Sequence, residues 1–165
     1  CVKKPAPSGA GFFVFRHRLE PDRPGRLCYA LAMSYVIIDH TADLGITVMA
    51  PDLPTLFFEA AQALTEIMGA RTRRSEREIR LTAEGYDPED LLVRWLEEIR
   101  YQIESQDISI ARMTIDTLSA QRLEARIHVS RRAAPLKTCI KAVTYHALEI
   151  REVDNRLQTT FIFDT

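Results

Sequence analysis

The sequence predicts an α+β fold, a single domain in which a largely antiparallel sheet carries two main amphipathic helices on one face. Three observations predict it. Two segments place apolar residues at helical spacing between capping residues, and several short segments alternate apolar with polar residues between turn residues. Strands and helices do not alternate regularly, which argues against a doubly wound parallel sheet. The chain has 165 residues, 46% hydrophobic and 27% charged, which suits one core. At this size folding buries about 70% of the unfolded surface, so neither a metal nor a disulfide is needed simply to hold the chain together.

Taken in order, Tyr35 to Ile38 is an apolar, β-branched run, and Ile46, Val48 and Ala50 alternate with Thr47 and Met49. Two strand segments therefore flank a polar turn, Asp39 to Gly45. Asp52 and Pro54 open a helix whose apolar residues run from Leu56 to Met68, and Gly69 ends it. Ile79, Leu81 and Ala83 mark a half-buried strand closed by Gly85. Asp87 and Pro88 start a second helix with an apolar stripe from Leu91 to Ile103, leaving Glu97, Glu98 and Arg100 to face water. Met113 and Ile115, then Leu123 to Val129, read as a hairpin turning at Ser119 to Gln121. Lys137 to Tyr145 fits a short helix and an extended segment equally. Leu148 to Val153 and Leu157 to Phe163 flank Asp154-Asn155 and predict a terminal hairpin.

The net charge of -1 is an average. Residues 1–33 carry six Lys/Arg against two Asp/Glu, while 34–165 carry 16 against 21. The first 33 residues also hold four of the eight prolines and three of the six glycines. They read as a basic, breaker-rich leader, flexible or foreign to the physiological domain, which is expected to start near Met33. Cys1, Cys28 and Cys139 form no CxxC pair, so neither a disulfide framework nor a thiolate zinc site is indicated. A reducing cytoplasm fits this usage, and the longest charge-free stretch is too short to span a bilayer.

Phosphate-cradling, dinucleotide, nucleophile-elbow and zinc-protease motifs are all absent from the sequence. What remains is the polar turn, with Asp39, His40, Thr41 and Asp43, and a second acid, Asp164, beside the C-terminus. If the last strand pairs near the first, Asp43, Asp164 and the free carboxylate of Thr165 converge. Mutual repulsion would raise their pKa values unless a cation neutralised them. A hard divalent ion with oxygen ligands suits such a cluster. Asp39 and Asp43 equally suit Asx turns. His40 lacks a second nitrogen or sulfur ligand nearby for zinc, Trp95 belongs to the core, and His146 and Lys141 are single polar residues without a mapped partner.

Three segments together carry a resemblance: DHTADLGI at Asp39 to Ile46, FFEAAQALTEIM at Phe57 to Met68, and KAVTYHALEI at Lys141 to Ile150 with a terminal Asp-X. In that order, over residues 34–165, they resemble the archease family. The resemblance implies a small α+β protein that is not itself the ligase. It implies a cofactor that activates an RtcB-type RNA ligase, promoting guanylylation by GTP and repeated turnover in tRNA splicing and RNA repair. It also implies a divalent-cation site at Asp43, Asp164 and Thr165, with calcium expected first and magnesium or manganese as alternatives. His40 and Lys141 are candidate partner contacts. Family chains usually end in an aliphatic residue, whereas this one ends in threonine; a terminal carboxylate is present either way. RNA is then reached indirectly, through the ligase, and no membrane is involved. A metal-dependent phosphoesterase using the same carboxylates is the alternative, and direct RNA binding is opposed by the charge of residues 34–165.

Overall fold

The computed structural model describes residues 35–39, 43–146 and 148–165. The leader 1–33, its two cysteines and His40 lie outside the described residues. Among the described residues ten elements follow one another: β1 (Tyr35–Asp39), β2 (Asp43–Ala50), α1 (Leu53–Ile67), β3 (Arg77–Glu84), α2 (Pro88–Ser105), β4 (Ile108–Leu118), β5 (Arg122–Arg131), β6 (Ala142–Thr144), β7 (Arg151–Val153) and β8 (Arg156–Asp164). The α+β class, the antiparallel pairing and the two helices agree with the sequence reading. The strands, however, divide between two sheets. One has the order β1-β2-β8-β6 with β7 also on β8, and the other has the order β3-β5-β4. Both helices touch both sheets, α1 through β2, β8 and β4, and α2 through β3, β4, β5 and β6.

Local chemistry explains the helix boundaries. The Asp52 carboxylate accepts the Thr55 N–H at 2.8 Å, Pro54 stands in the first turn, and Gly69 takes φ +71° just past the end. That is a side-chain cap at one end and a left-handed stop at the other. At the start of α2, Asp87 accepts the Asp90 N–H at 2.8 Å, while Asp90 accepts the Tyr86 N–H at 3.0 Å. Each acid satisfies one donor at the helix start, as in a capping box whose return bond reaches one residue further out, to Tyr86. In the β7–β8 turn Asp154 and Asn155 take φ +51° and +59°, the left-handed pair that a tight two-residue hairpin requires.

The core is shared by all layers. Trp95 is fully buried and its indole N–H donates to the Phe57 carbonyl at 3.2 Å. Thr159, Phe161 and Phe163 alternate inward from β8, and the two phenyl rings meet edge to face at 5.2 Å. Asp164 therefore falls on the opposite parity, at the open end of the strand.

Lys137 to Tyr145, open between a short helix and an extended segment in the sequence, is a loop followed by the three-residue strand β6. Other expectations are corrected. Only Arg151–Val153 of the strand expected over Leu148 to Val153 is strand. Glu97 and Arg100 do not simply face water, because the segment containing β6 covers them; their side chains are 31% and 20% exposed. Cys139 is disulfide-bonded, a pairing that the sequence spacing gave no sign of.

Candidate carboxylate site at the end of the last strand

β8 runs between β2 and β6, and register decides what meets at its end. Asp164 pairs with Asp43 on one side and with Ala142 on the other. Antiparallel partners that stand directly opposite have Cβ atoms about 4.5–5.5 Å apart, so the backbone sets the first acid of β2 beside the last acid of β8. Thr165 follows with its terminal carboxylate. Lys141 joins them. Its main-chain N–H donates to the Asp164 carbonyl at 2.7 Å, its ammonium donates to a Thr165 oxygen at 2.9 Å, and the same nitrogen lies 3.9 Å from Asp164 Oδ1. Lys141, read from the sequence as a partner contact, thus stands among the carboxylates.

Oxygen donors of this kind would suit a hard cation: Asp164 and the Thr165 carboxylate carry oxygens, and Asp43 stands opposite in register. Among the described residues no three His, Cys, Asp or Glu side chains form a metal-ligating cluster. The Lys141 ammonium supplies part of the neutralising charge. Its side chain is 68% exposed.

Helix α2 positions this end of the molecule through acids that sequence reasoning missed. Glu97 Oε1 accepts the Val143 N–H at 2.6 Å, Glu89 Oε1 accepts the Ile150 N–H at 3.1 Å, and Asp90 Oδ1 accepts the Tyr145 hydroxyl at 2.6 Å. One helical face thereby holds β6 and the segment after it. The Tyr145 hydrogen bond, followed by the Tyr86 N–H, holds the Asp90 carboxyl below the usual aspartate range. The same bond raises the Tyr145 phenol. His146 is exposed beside it. The signal in the sequence was the recurrence of acids at 89, 90 and 97 along one helix.

A cleft of about 500 Å³ lies elsewhere, on the outer face of the three-stranded sheet, lined by Arg80, Thr82, Asp116, Glu124 and Arg126 among others. Arg126 grips Asp116 with two nitrogens at 2.6–2.9 Å, a fork that internally satisfies the charges there. No helix among the described residues is long and apolar enough to cross a membrane.

Comparison with known proteins agrees with the fold. The archease of Methanopyrus kandleri is 30% identical over 139 residues, covering 80% of this chain and 99% of its own. That of Saccharolobus islandicus strain Y.G.57.14 is 32% identical over 142 residues, covering 79% and 98%. A solution structure of Methanobacterium thermoautotrophicum protein 1598 aligns with TM-score 0.58 at 27% identity, over 78% of this chain and 96% of that one. A Thermotoga maritima archease, described as a possible chaperone, aligns with TM-score 0.60 over 78% and 94%; at 24% identity it speaks to the fold. The model of the archease protein family matches residues 35–165, and the chain belongs to that family.

Proposed function

We propose that the protein is a non-catalytic cofactor of an RtcB-type RNA ligase, promoting guanylylation of the ligase by GTP and sustaining multiple turnover in tRNA splicing and RNA repair. The observation that carries this reading is the meeting of the two family motifs in space. The last acid of HTAD, Asp43, is the register partner of Asp164, and Lys141, the first residue of KAVTYH, bonds to both Asp164 and Thr165. Segments far apart in the chain thus build one spot.

Asp43, Asp164 and the Thr165 carboxylate would hold a divalent cation, calcium first. Bound there, such an ion supplies charge neutralisation that favours phosphoryl chemistry at an adjoining triphosphate. The chain's own residues do the positioning. β8 presents the carboxylates at the tip of a paired strand, Glu97 holds β6 beside them, and Lys141 keeps the terminus in place. An exposed carboxylate tip of this kind fits the metal- and nucleotide-binding cleft of a ligase, with His40 and Lys141 as further contacts.

The test is ligation of RNA ends bearing 2′,3′-cyclic phosphate by a purified RtcB-type ligase with GTP, together with a direct assay of ligase guanylylation. Wild-type protein should raise both guanylylation and turnover. Asp43→Ala, Asp164→Ala and a chain extended beyond Thr165 should each lose most of that stimulation. Full stimulation by all three variants would refute the proposal.

A further inference from the structure

The charge of the domain is unevenly distributed, and one end of the three-stranded sheet is basic. Two loops meet there. The first, between α1 and β3, is pinned to the sheet by the Arg71–Ile110 bridge and by N–H bonds from Thr72 to the Ile110 carbonyl at 3.1 Å and from Glu76 to the Val129 carbonyl at 2.8 Å. The second, after β5, is pinned by Arg132 N–H to the Asp107 carbonyl at 2.8 Å and by Lys137 N–H to the Met68 carbonyl at 2.9 Å. Lys137 also lies against Gly69, where an added Cβ would come within 2.5 Å of its Cγ.

The first loop and the start of β3 bring Arg71, Arg73, Arg74 and Arg77, and the second brings Arg131, Arg132 and Lys137. All but the half-buried Arg132 are exposed. The carboxylates paired with them are Glu76, 3.7 Å from Arg74, and Asp107, 3.8 Å from Arg131 and 2.6 Å from Arg132. Among the described residues, Arg71, Arg73, Arg77 and Lys137 have no carboxylate within 4.0 Å. The objection that the domain is too acidic to touch RNA applies to its average and not to this end.

We infer that this two-loop basic patch binds the phosphate backbone of a base-paired RNA stem. Unpaired guanidinium groups on a pinned backbone match phosphate oxygens in geometry and charge. Among the described residues, none of the large exposed hydrophobic side chains, Tyr86, Tyr101 and Tyr145, belongs to either loop. The patch therefore lacks both the aromatic anchors of a protein interface and the stacking platforms of a single-strand binder. Lys137 is four residues from Lys141, so the same segment that supports the carboxylate tip also carries part of the patch. The choice of RNA among polyanions rests on the ligase reading, but the binding measurement needs no ligase, so the two ideas fail separately.

The experiment is fluorescence anisotropy of a labelled RNA stem-loop with the purified chain across a salt series. Four unpaired cations imply a slope of log K against log salt of about −3.6. Arg73→Ala with Arg77→Ala should halve that slope and weaken binding at about 0.1 M salt roughly 60-fold, with the thermal midpoint unchanged. Arg71→Ala with Lys137→Ala should do the same, providing a second pair should the first fail to fold. Arg122→Ala, at the opposite end of β5, should leave binding unchanged. The proposal is overturned by an absence of binding at low salt, by an unchanged slope in both folded double variants, or by an equal loss in Arg122→Ala. Labelled polyglutamate bound as tightly as RNA, and through the same arginines, would overturn it in favour of an acidic polypeptide.

Discussion

Removing the Glu97 carboxylate should loosen β6, which Lys141 directly precedes, without unfolding the helix beneath it. Glu97 Oε1 accepts the Val143 N–H at 2.6 Å, and Oε2 accepts from Arg100 at 2.8–2.9 Å. Val143 is 5% exposed, so Glu97→Ala leaves a buried N–H without its acceptor. A hydrogen bond to a charged group contributes about 1.5–3 kcal/mol. The Arg100 half of the interaction adds less, because Arg100 keeps Glu104 at 2.6 Å and its half-buried guanidinium is not left unpaired. A loss of about 2 kcal/mol corresponds to roughly a 30-fold rise in local opening. The assay is amide hydrogen exchange at Val143 and at Lys141, whose N–H bonds to the Asp164 carbonyl, alongside urea denaturation. Glu97→Gln keeps an acceptor and should show less than half the effect. Unchanged protection at both amides in Glu97→Ala would refute the idea that α2 holds β6 through this carboxylate.

Two further perturbations probe the fold itself. Gly85→Ala would set a Cβ 2.5 Å from the Leu91 nitrogen and 2.6 Å from its Cα. Those are backbone atoms of the first turn of α2, so the substitution should cost about 3 kcal/mol; a urea-derived loss under about 1 kcal/mol would contradict the contact. Burial, and then the Glu66 carboxylate, push Glu59 up from 4.5 to about 7. A folded-state pKa above the unfolded value means the associated stability is fully present below pH 4.5 and is lost as pH rises through about 7. Glu59→Gln should therefore raise the thermal midpoint at pH 8 relative to wild type by more than at pH 4.5. An equal difference at both pH values would point to packing instead of titration.

The parts of this fold that the sequence announced are those set by neighbouring residues. Asp52, Pro54 and Gly69 bound α1, Asp87 and Pro88 open α2, and the left-handed Asp154-Asn155 pair turns the last hairpin. Each is a local rule, complete within a few positions. The division into two sheets was not legible, because a period of two tells which face a residue lines and not which strand it pairs with. β6 escaped for a related reason: three residues are too few for any period to show. Glu97 looked like a solvated residue because a carboxylate at the edge of an apolar stripe reads the same whether water or another strand covers it.

The carboxylate site lies between these cases. Its residue types were visible at once, yet their meeting depended on the last strand inserting between β2 and β6. That insertion is enforced by hydrophobic register. Leu44 pairs with Phe163 and Val143 pairs with the same phenylalanine from the other side, and Phe163 is fully buried. A slip of one residue on either side would turn Phe163 outward and Asp164 toward the core, exposing a large apolar surface and burying a charge. The packing that stabilises the sheet thus also fixes Asp164 opposite Asp43 and beside the residue that follows Lys141. The site needs no separate folding device, because the same phenylalanine that closes the core sets the acid beyond it at the tip of the strand.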